Sequence, residues 1–131
     1  MAQAGQNTPL PGYVAQVGDK LYMKADHNGP SSYSNIGSSS GTGDVINALD
    51  FGAGGFESIG VTFSAYSFSG NYIVKVIPKS GTAVTPLGTT VPTYALQWFT
   101  VSGGAFGTIS TEVTNGTSLA AETVRLDLVM V

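Results

Sequence analysis

The chain predicts an all-β fold: one antiparallel β-sandwich or jelly-roll-like domain carrying an extended N-terminal arm. Three observations lead there. In several segments apolar residues recur at every second position, the period of a strand with one buried face. Turn sequences rich in Gly, Asn and Ser separate those segments at intervals of roughly ten residues, as in sandwiches and barrels. Helical patterning is confined to Val45–Leu49 and Ser118–Glu122, each enough for one capped turn and too short to persist alone.

The elements follow in chain order. Residues 1–12, MAQAGQNTPLPG, hold two prolines and no charge and read as the arm, with Leu10 as its anchor on a partner. Tyr13–Val17 and Lys20–Lys24 flank Gly18-Asp19, a two-residue hairpin connection. Residues 26–44 form a long Ser/Gly-rich loop, in which NGPSSYSNIGSSSGTG passes without a charge before Asp44. Ile59, Val61, Phe63 and Ala65 share one face of a strand, and Gly60, Thr62 and Ser64 the other. After Ser69-Gly70-Asn71, the β-branched run Tyr72–Ile77 stops at Pro78, so the two segments read as a hairpin. Thr93–Val101 is apolar on both faces, Tyr94, Leu96 and Trp98 against Ala95, Phe99 and Val101, as in a strand covered on two sides. Phe106–Val113 follows Gly103-Gly104 as another strand. Thr123–Val131 closes the domain with Val124, Leu126, Leu128 and Met130 on one face, and Leu128 is placed in the core.

Composition narrows the function classes. At 131 residues the protein is one domain, residues 13–131 beyond the arm, able to bury roughly two-thirds of its unfolded surface. Its charged share is 10%, against about 25% in an ordinary globular protein. The net charge of −3 and 42% hydrophobic residues are not the composition of a disordered protein. The five basic residues, Lys20, Lys24, Lys75, Lys79 and Arg125, make no patch for a phosphate backbone, so no nucleic-acid partner is expected. No run of about 18 apolar residues suggests a membrane span, and the N-terminus lacks the basic and apolar regions of an export signal. Synthesis in the cytoplasm is the expectation. Without cysteine there is neither a disulfide framework nor a thiolate metal site. Asn115-Gly116-Thr117 matches a glycosylation sequon and reads as a plain Asn-Gly turn.

Candidate chemistry is thin. Gly37–Gly41 fits G-x-S-x-G around Ser39, yet no helix follows it and the sole histidine, His27, lies upstream. Asp26-His27-Asn28 could ligate a metal or exchange protons, but one histidine without a partner at helical or strand spacing reads as a surface turn. Replacing Ser39 or His27 by Ala is therefore expected to leave fold and function unchanged. Glu57, Glu112, Glu122 and Asp127 read as solvent-face residues and not as an opposed glycosidase pair. Phe51–Phe56 lacks dinucleotide-loop spacing, because Glu57 stands where a third glycine belongs. Trp98 is placed in the core ahead of a sugar-stacking role. The expectation is a protein that is not an enzyme and uses no cofactor or metal.

What remains is the missing charge. Residues 1–18, 28–43 and 80–111 carry none, where a monomer intersperses Lys and Glu over exposed strands. Neutral side chains cost less to desolvate than unpaired charges, so such a surface suits contact with other protein subunits. The loop is expected either to lie over a neighbouring subunit through Tyr33 and Ile36 or to be an ordinary surface loop. Val129 and Val131 extend the outer face of the last strand, which must be central in its sheet or covered by a subunit.

The Met-Ala start, the arm AQAGQNTPLPG, the Gly/Ser/Thr-rich loops and uncharged strands such as TTVPTYALQWFTVSGG resemble the small all-β virion proteins of tailed bacteriophages, above all capsid decoration (cement) proteins. That resemblance implies a sandwich or jelly roll on the capsid exterior, often a homotrimer, clamping the major capsid protein and stabilising the assembled shell. The alternative function is a carbohydrate- or receptor-binding β-module of a phage tail or fibre. An exposed aromatic in a concave polar site would favour that alternative, and a buried Trp98 would weigh against it.

Overall fold

A computed structural model describes residues 6–37, 40–46, 59–61, 65–84, 90–103 and 106–130. The strands are β1 (Asn7–Val17), β2 (Lys20–Asn28), β3 (Asp44–Ile46), β4 (Ile59–Val61), β5 (Ala65–Tyr66), β6 (Tyr72–Val84), β7 (Thr90–Ser102), β8 (Thr108–Glu112) and β9 (Thr123–Met130). Among the described residues there is no helix, and none that could cross a membrane. The protein is all-β, as its alternation predicts, with two antiparallel sheets packed as a sandwich. The first sheet has the order β1-β2-β9-β4; the second has β3-β7-β6-β5, with β8 also on β7.

The period of two sets the core. Along β2, Met23, Ala25 and His27 point inward while Tyr22, Lys24 and Asp26 point outward. Their partners on β9 match, so Leu128, Leu126 and Val124 meet them on the inner face. Val74, Leu96, Trp98 and Ile46 of the second sheet close against them, joined by Tyr33, Val113 and Leu119 from the connecting segments. Each large apolar residue of this set contributes about 1.5–3 kcal/mol when fully removed from water. β9 lies between β2 and β4, so its backbone is paired along both edges, and its apolar inner face is covered by the second sheet.

Several expectations are corrected. The expected strand Ile59–Ala65 is divided between the sheets: Ile59–Val61 pairs with β9 in the first, Ala65 and Tyr66 pair with Val74 and Ile73 in the second, and residues 62–64 lie outside those described. Alternation identifies a buried face but cannot say which sheet the face belongs to. Pro78 does not end β6, which continues to Val84 across a register shift between Pro78 and Thr82, an irregularity where a missing N–H is tolerated. Val45 and Ile46 are in β3 and not in a helical turn, whereas Leu119–Glu122 forms a single turn closed by Glu122 N–H to Leu119 O (2.9 Å). From Asn7 onward the expected arm is part of β1, with Asn7, Thr8 and Pro9 opposite His27, Asp26 and Ala25. Asp26–Asn28 likewise belong to β2, so the long loop begins at Gly29.

Candidate functional site

The loop from Gly29 to Gly43 has few apolar residues, so its shape has to come from hydrogen bonds. They come from the same polypeptide. Gly29 N–H donates to Glu122 O (3.0 Å), Tyr33 N–H to Thr117 O (2.8 Å) and Leu119 N–H to Pro30 O (2.8 Å). Asn35, 4% exposed, donates through Nδ2 to Val113 O at 2.8 Å. Gly43 has φ +69°, the left-handed region suited to glycine, and a Cβ there would fall 2.7 Å from Ile36 Cδ1 and 3.2 Å from Ala95 Cβ.

Glu112, at the end of β8, is the centre of this fastening. Its Oε1 accepts from the Tyr33 hydroxyl (2.8 Å) and the Ile36 N–H (2.7 Å), and its Oε2 from the Gly37 N–H (2.8 Å). Burial acts to raise its carboxyl pKa, but the Ile36 and Gly37 amides, the Tyr33 hydroxyl and Gln97 outweigh burial and hold it below the ordinary 4.5. Burial pushes the Tyr33 phenol far above its usual range, with the Glu112 charge adding to it against the Trp98 amide. Tyr33 therefore remains a donor. It also accepts the Trp98 N–H (3.1 Å), filling the stretch of β7 between its pairings with β3 and β8.

A second polar centre joins the sheets. His27, 0% exposed, faces Asp44 Oδ2 through Nε2 and Asn7 Oδ1 through Nδ1, each at 2.5 Å. Asp44, 3% exposed, also accepts from Trp98 Nε1 (3.1 Å) and from Gln6 Nε2 (3.5 Å). His27 is thus a buried residue and not the surface turn residue expected. A ring bonded at both nitrogens and sealed from solvent has no face left for a substrate; what the arrangement can do is clasp β2 to β3 and β7. Among the described residues no three His, Asp or Glu side chains gather as a metal site would require.

The outer faces differ. On the first sheet Arg125 pairs with Asp26 (2.8 and 3.2 Å), with Phe68 5.3 Å from its guanidinium, and Lys24 pairs with Asp127 (3.5 Å). Beyond these pairs, Ala15, Tyr22 and Val129 line a shallow groove of about 490 Å³. On the second sheet Tyr66, Ile73 and Phe99 form a row ending at Glu112. Val101 opposes Ile109 two residues further along β7 and three back along β8. That bulge turns both Ile109 and Glu112 outward. Phe106 has φ +58°, uncommon for a bulky residue, and its ring meets Tyr66 edge-to-face at 5.4 Å. Tyr66 (36%), Phe106 (61%) and Ile109 (51%) stand exposed there, beside an uncharged Thr108–Thr111.

The expected partner contacts are dispersed by this geometry. Tyr33 is 1% exposed and faces its own core, and Ile36 is half-buried toward Gly43 and Ala95, so neither projects as the anchor expected. Leu10 lies in the part of β1 where the register shifts. Val129 is half-buried on the outer face of the first sheet, opposite Tyr22 and Gly60. Val131, Ser39 and Glu57 lie outside the described residues. Trp98 is fully buried, as expected. Asp44 and Glu112 are the acids whose bonding roles sequence reasoning misses; an acid that ends sixteen uncharged residues, and a tyrosine inside a Ser/Gly run, are the available signals.

No protein-family model, no curated protein and no solved structure matches the sequence or its fold.

Proposed function

We propose that the protein is a structural virion component that binds an assembled capsid shell from outside, with the major capsid protein and copies of itself as partners. The observation that carries this reading is how the surface is divided. On the first sheet Lys24 and Arg125 are paired with Asp127 and Asp26, Asp44 is buried between the sheets, Glu112 is taken up by the long loop, and Tyr22, Tyr66, Phe106 and Ile109 are left exposed. Large aromatics among neutral hydroxyl neighbours are the residues that anchor protein interfaces, with little charge to desolvate. A sandwich whose long loop is already fastened to its own strands loses little further entropy on docking. Binding the shell and not its free subunits then stabilises the shell by mass action.

The carbohydrate- or receptor-binding alternative loses Trp98 as a platform, since that ring has no exposed surface. It would have to use an exposed aromatic such as Tyr22, Phe68 or the Tyr66–Phe106 pair.

The test uses heads assembled without this protein. Purified protein should sediment with the heads, fail to bind dissociated capsid subunits, and raise the temperature at which the heads open. A folded Phe106→Ser variant should lose most of that binding. Equal binding to heads and free subunits, or none to heads, would overturn the reading.

A further inference from the structure

Two Asn-Gly pairs occur in the sequence, Asn28-Gly29 and Asn115-Gly116. This dipeptide is the one most prone to spontaneous deamidation, because glycine leaves its backbone nitrogen unhindered. In that reaction the Gly nitrogen gives its proton to solvent base and attacks the Asn Cγ. The bond from Cγ to the amide nitrogen breaks, and ammonia leaves after taking up a proton. Water then opens the resulting succinimide at either carbonyl, giving aspartate or isoaspartate. One ammonia is released and one water consumed, with no change of oxidation state.

Both pairs are held, by different parts of the fold. Asn28 ends β2 opposite Thr123, whose hydroxyl donates to Asn28 Oδ1 (2.8 Å), while Gly29 N–H donates to Glu122 O (3.0 Å). Asn115 is exposed in a turn over Thr114–Thr117, closed by Thr117 N–H to Thr114 O (3.2 Å), with Gly116 at φ +86°. Its two reacting groups are both engaged by the long loop: Gly116 N–H donates to Tyr33 O (2.7 Å), and Asn115 Oδ1 accepts the Asn35 N–H (3.1 Å). A nitrogen that points its hydrogen at a carbonyl is harder to deprotonate, since the anion would face that oxygen. An Asn115 amide tied to Asn35 cannot swing over the backbone to be attacked.

We infer that Asn115-Gly116 is a latent deamidation site guarded by the loop, so that Asn115 is modified only in molecules whose loop has opened. Isoaspartate adds a backbone atom between residues 115 and 116, which displaces the Gly116 N–H from Tyr33 O. An opened loop would then be unable to close again, and the molecule would carry a record of its opening. The fastener is Glu112, which bonds Tyr33, Ile36 and Gly37 and touches neither Asn-Gly pair.

The test incubates wild type and Glu112→Gln in mildly alkaline buffer, following isoaspartate at both pairs by peptide mass spectrometry. The same protein unfolded in guanidinium chloride is the reference. In folded wild type both pairs should react at least about tenfold more slowly than in the unfolded protein. In Glu112→Gln, loss of charged hydrogen bonds should speed Asn115 by about three- to tenfold and leave Asn28 at its wild-type rate. Reaction of folded wild-type Asn115 at the unfolded rate would overturn the guard. So would no acceleration at Asn115 in the variant, or equal acceleration at both pairs.

Discussion

Asp44 and Glu112 are both carboxylates ringed by donors, yet they hold different things. Asp44 lies between the sheets, where His27 of β2 and Trp98 of β7 meet on one oxygen. Glu112 lies on an outer face, where it gathers one hydroxyl and two backbone amides of a single loop. Loss of Asp44 would strand donors that no water can reach. Loss of Glu112 would release donors that solvent can take over. In a protein with so few charges, the position of an acid therefore decides whether its removal acts on the whole fold or on one segment.

The largest effect separates the two. Asp44→Ala leaves the His27 ring and the Trp98 indole N–H without their acceptor and should cost about 3–5 kcal/mol in urea unfolding, with all probes shifting together. A loss under about 1 kcal/mol, the scale of an exposed ion pair, would break the comparison by placing Asp44 among surface acids.

Glu112→Gln should act locally. Amides of Ile36 and Gly37 should exchange about tenfold faster while those of Leu126 and Leu128 keep their protection. A uniform rise across β9 would show the loop to be part of the global unfolding unit.

The smallest effect is pH dependence. The Glu112 carboxyl titrates below its ordinary value when folded, so its contribution is fully present above the unfolded value of 4.5 and is lost as pH falls through the lower folded value. Acidification from neutrality should leave the Ile36 and Gly37 amides protected until the acid range and then release them. In Glu112→Gln that acid-induced step should be absent. Loosening that begins near neutrality would assign the fastening to another group.

Strand existence was legible because its signals are local: β9 shows one apolar face by alternation, and β7 is a run apolar on both faces. The hairpin at Gly18-Asp19 and the buried Trp98 followed from the same kind of evidence. What escaped were partnerships over long separations. Nothing beside His27 announces Asp44, seventeen residues on, and nothing beside Tyr33 announces Glu112, seventy-nine residues on. A lone histidine and an acid at the end of a strand both look like surface residues until the sheets are brought together. For the same reason the uncharged loop looked unable to shape itself: its acceptors, Glu112 and carbonyls between Val113 and Glu122, are remote in sequence.

The place of β9 has a further consequence, for the order of events during synthesis. It is one of the two inner strands of the first sheet and the last strand described, and its Thr123 meets Asn28 across 95 residues. As the polypeptide leaves the ribosome, β1 and β2 form a hairpin whose β2 edge is still open, and β4 has no neighbour among the described strands until β9 emerges. The first sheet can close only once β9 has been made. Until then β2 exposes Met23 and Ala25 together with an unpaired row of amides, the kind of edge that recruits stray strands. Slow elongation between the codons for Asn28 and Thr123 would lengthen that exposure, whereas slow elongation ahead of β2 would not.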